Sequence, residues 1–239
     1  MVHPHSIASA GQVVKVGFDH LPPWITVQDG KLQGVDYELL NSMFDGMGLK
    51  AEFVPMNFGE ILNGLKSGQI DMAASLLFRE ERDSYIRFIS PPYCTKSTIC
   101  FYALKGTGVA VDKYSDTAGL RVGTTEGARY FPAFDLDDRM IKVPYPALKD
   151  VFKALVDGKI DLAICGRSAA EYYIDKLEAG AQVKTCKFMY AAKLMPVYIG
   201  ISRKSALVDR ADEMGSLMRE LQKSGEMDKI AAKYSVVVH

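Results

Sequence analysis

A short unit occurs twice in this chain, and the duplication restricts the fold more than any other feature. Residues 61–75 read ILNGLKSGQIDMAAS and residues 151–165 read VFKALVDGKIDLAIC. Leu65 matches Leu155, Gly68 matches Gly158, Ile70 matches Ile160, Asp71 matches Asp161 and Ala73 matches Ala163. In each copy an amphipathic helical pattern runs into glycine, the residue suited to a left-handed helix end. A short apolar run follows, with the character of a buried strand. A second echo lies upstream of each copy: VKVGF at 14–18 resembles LRVGT at 120–124, both alternating strand patterns with a late glycine. Two copies of strand, helix, strand predict two α/β lobes with parallel strands and right-handed crossovers. The spacing between the copies is far too long for a solenoid.

The 239 residues suffice for one large domain or two small ones, and a 48% hydrophobic content can furnish a core for each lobe. Basic and acidic residues balance at 29 each, so no general affinity for nucleic acid is expected. No stretch approaches the ~18 apolar residues of a membrane span. Residues 1–12 are polar, carry no apolar core of a signal peptide and are expected to be disordered. The four cysteines, Cys94, Cys100, Cys165 and Cys186, form no CxxC pair, so a zinc site has no support. They fit either buried thiols or two disulfides. In the second case Cys94–Cys100 and Cys165–Cys186 each fall within one stretch of chain. No P-loop, nucleophile elbow or zinc-protease motif occurs, and no cofactor or metal is expected.

The remaining patterns show how two lobes would be joined. Residues 34–47 carry Val35, Leu39, Leu40, Met43 and Phe44 at helical spacing, with Gly46 and Gly48 to end the helix. Residues 169–177 repeat the pattern with Tyr172, Tyr173, Ile174 and Leu177. Residues 206–224 read as one long helix, broken at Gly225 and followed by a short one over 227–234. Residues 97–103 and 196–201 read as strands that cross in opposite directions, a natural two-strand hinge. The C-terminal helices then return to the first lobe. Lobe 1 is expected to comprise 13–103 plus 198–239, and lobe 2 to comprise 104–197. A ligand belongs in the cleft between them, at the carboxyl ends of the strands.

Several segments carry a resemblance in their order and spacing. They are LPPW at 21–24, GVDYEL at 34–39, the first LxxGxID, Arg82, FISPPY at 88–93, GLRVG at 119–123, TEG at 125–127 and the second LxxGxID. Over almost the whole chain the sequence resembles the bacterial extracellular solute-binding proteins of the polar amino-acid class, family 3. The resemblance implies an α/β, two-lobed type II periplasmic-binding-protein fold. It also implies a monomer in the periplasm, its signal removed, that captures a small carboxylate-bearing solute and delivers it to the permease of an ABC importer. Sensor-kinase ligand domains and cyclohexadienyl dehydratases share the fold, so fold alone does not set function. For a dehydratase of prephenate or arogenate, only Glu171 and Glu81 could supply the general acid.

The resemblance also assigns roles to residues. Arg82 corresponds to a carboxylate clamp, a planar fork that matches two carboxylate oxygens; the other reading is a surface salt bridge to Glu80 or Glu81. Ser75 and Leu77 lie in the segment whose hydroxyl and backbone groups meet the ligand. Gly127, Ala128 and Arg129 fall where a helix N-terminus faces the carboxylate, with Arg129 either a second cation there or turned to solvent. Trp24 corresponds to an aromatic wall, and Asp19 either meets a ligand cation or caps its turn. Lobe 2 departs from the family pattern. Relatives that bind α-amino acids place an aspartate for the α-ammonium where this chain has Gly166. Either Glu171 reaches in instead, or the ligand has no α-ammonium and Arg167 meets a second acidic group.

Overall fold

The computed structural model describes residues 12–95, 98–191, 196–236 and 238. The expected disorder of 1–12 falls outside them but for Gln12, as does Ser97. Along the chain run β1 (Val13–Phe18), β2 (Thr26–Gln28), β3 (Lys31–Gln33), α1 (Val35–Met47), β4 (Lys50–Pro55), α2 (Phe58–Ser67), β5 (Met72–Leu77), α3 (Glu80–Asp83) and β6 (Ile86–Phe88). Next come β7 (Thr98–Leu104), β8 (Arg121–Thr125), α4 (Pro132–Asp135), β9 (Ile141–Tyr145), α5 (Leu148–Val156), β10 (Leu162–Gly166), α6 (Arg167–Lys176) and β11 (Val183–Ala191). The chain closes with β12 (Val197–Ser202), α7 (Ala211–Lys223) and α8 (Glu226–Lys233).

The strands form two sheets of the same design, β4-β1-β5-β12-β6 and β11-β7-β10-β8-β9. Each contains three parallel strands, β4-β1-β5 or β10-β8-β9, and the strand parts of the duplicated sequence lie on β1 and β5 or β8 and β10. Each is completed by antiparallel strands, β12 with β6 and β7 with β11. The matching residues of the two copies do the same work. Asp71 accepts the Lys15 N–H at 2.8 Å, and Asp161 accepts the Arg121 N–H at 2.8 Å, so each aspartate ties its own strand to the first strand of its lobe. Gly68 and Gly158 take left-handed φ values of 83° and 69° at the helix ends, where a side chain is strained. A Cβ on Gly17 or Gly123 would lie 2.4 Å from Ile70 or Ile160, so the late glycine of each first strand makes room for the isoleucine of the repeat.

Three expectations need correction. Strand β7, expected to close lobe 1, lies in the second sheet, where Tyr102 pairs with Ala163 and Cys100 with Cys165. Its run Ile99–Ala103 is buried, with Cys100 and Tyr102 in one core cluster and Ile99, Phe101 and Ala103 in another, so packed side chains cover both of its faces. The lobe boundary therefore falls before Thr98 rather than at 103. Helix α1 runs through Gly46 and ends at Gly48, whose φ is 66°. The tail has a 3₁₀ turn over Ala206–Arg210, started by the Ser205 hydroxyl, before α7 begins. All four cysteines are buried, and Cys100, Cys165 and Cys186 are free thiols, with Cys100 opposite Cys165.

Helices α7 and α8 pack on α1, and Met214, Met218, Met227 and Ile230 join Leu39, Met43 and Phe44 in the core of lobe 1. The second core gathers Val151, Phe152, Leu155, Ile160 and Tyr173. No helix among the described residues is long and apolar enough to cross a membrane.

Candidate ligand-binding cleft

The carboxyl ends of β1, β5, β8 and β10 open onto one cavity of about 500 Å³ between the lobes. Asp19, Trp24, Ser75, Leu77 and Arg82 line it from lobe 1, and Ala128, Arg129, Gly166 and Arg167 line it from lobe 2. Gly127 reaches it indirectly, through its carbonyl. Sequence reasoning missed Phe58, Tyr130 and the tail residues Ser235 and Val236, which line the same cavity. Phe58 had a usable signal: Asn57 and Glu60 form a capping box, which starts α2 at Phe58.

Arg82 is 3% exposed. Its Nη1 donates to the Leu77 carbonyl at 3.2 Å and its Nη2 to the Gly127 carbonyl at 2.9 Å, across the cleft. Its guanidinium carbon stands 5.6 Å from the Phe58 ring centre. No carboxylate of the described residues lies within ion-pair distance. Burial lowers its pKa. Burying a cation without a counter-charge is costly, and here only carbonyl oxygens face it. The alternative reading, a surface pair with Glu80 or Glu81, does not hold: Glu81 instead lies 3.9 Å from Arg129.

Ser75 differs from its expected role. Its hydroxyl donates to Asp36 Oδ2 at 2.7 Å, away from the cavity, and its N–H donates to the Tyr93 hydroxyl. Tyr93 in turn donates to Asp36 Oδ1 at 2.7 Å. With Asp36 and Tyr93 buried, this triad fastens Ser75 at a φ of 56°, a left-handed value costly for a residue with a Cβ. Burial pushes the Asp36 carboxyl up to about 7 against the two hydroxyl bonds. Asp36 lies in the first turn of α1, within GVDYEL, a segment that carried the family resemblance without revealing this partnership.

Burial also pushes the Asp19 carboxyl up to about 6, although it accepts the His20 N–H at 2.8 Å. Trp24 meets Tyr93 edge-on at 6.2 Å. In lobe 2 residues 127–129 form a turn before the helix: Gly127 has a φ of 73°, Ala128 N–H returns to the Thr125 carbonyl, and α4 begins at Pro132. Proline lacks the N–H that an earlier helix would need there. Arg167 begins α6, and its Nη2 donates to the Met189 sulfur at 2.6 Å. Among the described residues no cluster of His, Cys, Asp and Glu could hold a metal.

The lobes also touch at the rim. Tyr173 donates to the His20 carbonyl at 2.6 Å, and the Tyr172 hydroxyl lies 3.3 Å from His20 Nε2. The Tyr173→Phe variant removes one neutral bond of about 1 kcal/mol that exists only when the lobes meet. Calorimetry is expected to show ligand affinity weakened about 5-fold, through a smaller closed population. Unchanged affinity would mean that the bond contributes nothing to closure.

Two sheets of matching design around a cleft with an unneutralised arginine define a two-lobed solute-binding protein. The chain belongs to the bacterial extracellular solute-binding proteins, family 3, whose profile matches residues 14–237. It is 23% identical over 236 residues to the L-arginine-binding protein of Pseudomonas aeruginosa, covering 95% of this chain and 89% of that one. An ancestral arginine-binding protein bound to arginine superposes with a TM-score of 0.78 at 25% identity, covering 93% of this chain and 98% of that one. A histidine kinase sensor domain similar to periplasmic binding proteins superposes with a TM-score of 0.81 at 21% identity, covering 96% and 99%, a likeness of fold.

Proposed function

We propose that the protein captures a small carboxylate-bearing solute, an amino acid or related organic acid, and delivers it to the permease of an ABC importer outside the cytoplasm. The carrying observation is Arg82, a buried guanidinium in the cleft with no acidic partner among the described residues. Binding on lobe 1 comes first, and lobe 2 then closes over the ligand as Arg82 meets the Gly127 carbonyl. The amino-acid ligands of the relatives support the class, and Phe58 and Trp24 offer aromatic surface for the rest of the solute. Ala128 and Arg129 contribute from lobe 2, and Leu77 and Ser75 shape the lobe 1 wall.

Family membership supports binding without turnover over the dehydratase reading. Native mass spectrometry of freshly purified protein is expected to show a retained small acid. Calorimetry against amino acids and organic acids then ranks the class. Conversion of prephenate to phenylpyruvate by the purified protein would overturn the non-enzymatic reading.

A further inference from the structure

Among the described residues, opposite charges meet across the cleft at two places, and only one of them is sheltered. Arg79 Nη2 of lobe 1 lies 3.7 Å from Asp135 Oδ2 of lobe 2, with the two side chains 26% and 14% exposed. Arg129 and Glu81, 3.9 Å apart, are 51% and 61% exposed and contribute little. Arg79 is the N-cap of α3, just past β5, and Asp135 closes α4. Each is the other's only ion-pair partner among the described residues. Their separation exceeds a hydrogen-bond length, so the attraction is Coulombic and open to screening by salt.

Asp135 is held in place by its own lobe. Its Oδ1 accepts the Tyr130 N–H at 3.0 Å, and its backbone carbonyl accepts from Lys142 Nζ at 3.0 Å. Lys142 Nζ in turn stands 5.0 Å over the Phe134 ring. These contacts need nothing from lobe 1. Exposed ion pairs are weak partly because two long side chains must both be ordered. Here the acid is already ordered, and only the arginine remains to be fixed. The same aspartate connects to the cavity wall: Tyr130 is 7% exposed, lines the cavity, and its hydroxyl accepts the Thr125 N–H at 2.9 Å at the end of β8. Arg79 and Asp135 do not line the cavity themselves, so substituting them leaves the solute seat untouched.

We propose that the Arg79–Asp135 ion pair is a latch that holds the two lobes closed, with both side chains acting as positioning residues that never meet the solute. The test needs no solute. The full chain, freed of small molecules by unfolding and refolding, carries spin labels on the exposed positions Lys66→Cys in lobe 1 and Lys159→Cys in lobe 2. Double electron–electron resonance then gives the ratio of closed to open molecules. Arg79→Gln and Asp135→Asn should each lower that ratio by about 3–5-fold. The double variant should fall no further than either single one, because a pair once broken cannot be broken again. Asp135→Asn keeps an oxygen for the Tyr130 N–H, so a role confined to lobe 2 would leave the ratio unchanged. Arg79→Lys should recover part of the loss. Raising NaCl from about 20 mM to about 0.5 M should bring the wild type toward the variants. Equal ratios in the wild type and both single variants, losses that add in the double variant, or a loss in one single variant alone would overturn the latch. If Asp135→Asn fails to fold, Arg79→Gln and the salt series decide. None of these outcomes bears on the carboxylate clamp, which Arg82→Ala tests separately.

Discussion

Arg82→Ala is expected to weaken binding of the cognate carboxylate by about 10²–10³-fold, the worth of two charge-assisted hydrogen bonds in a site shielded from water. Arg82 is the one deeply buried arginine of the cleft. Its loss also removes the bond to the Gly127 carbonyl, so the closed state is weakened along with the direct grip. Stability without ligand should change little, because alanine leaves no buried charge to be solvated. Arg82→Lys should recover only part of the affinity, since an ammonium cannot match two carboxylate oxygens with a planar fork. Calorimetry on the three proteins with one ligand measures the series. Equal affinities in wild type and Arg82→Ala would remove the carboxylate clamp from the mechanism.

The second large effect concerns Asp36 and the pH dependence of stability. Its pKa is about 7 in the folded chain against an ordinary value of 3.8, because burial disfavours the carboxylate more than the Tyr93 and Ser75 hydroxyls favour it. Between these values the unfolded chain has lost the proton that the folded chain retains. Unfolding is therefore favoured as pH rises, and the stability present at acid pH is lost through pH 7, after which the curve is flat. The full difference is on the order of 4 kcal/mol. Asp36→Asn removes this titration while keeping shape and one acceptor. Urea unfolding of both proteins from pH 4 to 8 should show the wild type losing stability relative to the variant as pH rises. Parallel curves would mean that Asp36 stays ionised throughout. The consequence reaches the cleft, because the same carboxyl fastens Ser75 in its left-handed conformation on the cavity wall.

Asp36 illustrates how a site residue escapes sequence reading. It stood in plain view within GVDYEL, but its partners are Tyr93 and Ser75, separated from it by 57 and 39 positions. Nothing local signals such a bond. Arg82 entered through the family resemblance, and it lies just past β5, at the strand ends where open sheets bind ligands. The Ser75 hydroxyl was assigned to the ligand by resemblance, and no strand period signals the positive φ at which it meets Asp36. Strand β7 was assigned to the wrong lobe because an apolar run does not disclose which sheet it will join.

The sequence by itself determined the two α/β units. The duplicated LxxGxID segment encodes the glycine-capped helix, the isoleucine that needs a glycine across from it, and the aspartate that ties adjacent strands, all through contacts internal to one unit. Only the tertiary structure decided what lies between the units. The return of β12 to the first sheet, the Tyr173–His20 contact and the shared cavity all depend on residues brought together from distant parts of the chain. Short-range periodicity specifies elements because their hydrogen bonds are local. A cleft is specified by the packing of two cores, and no period of the sequence carries that information.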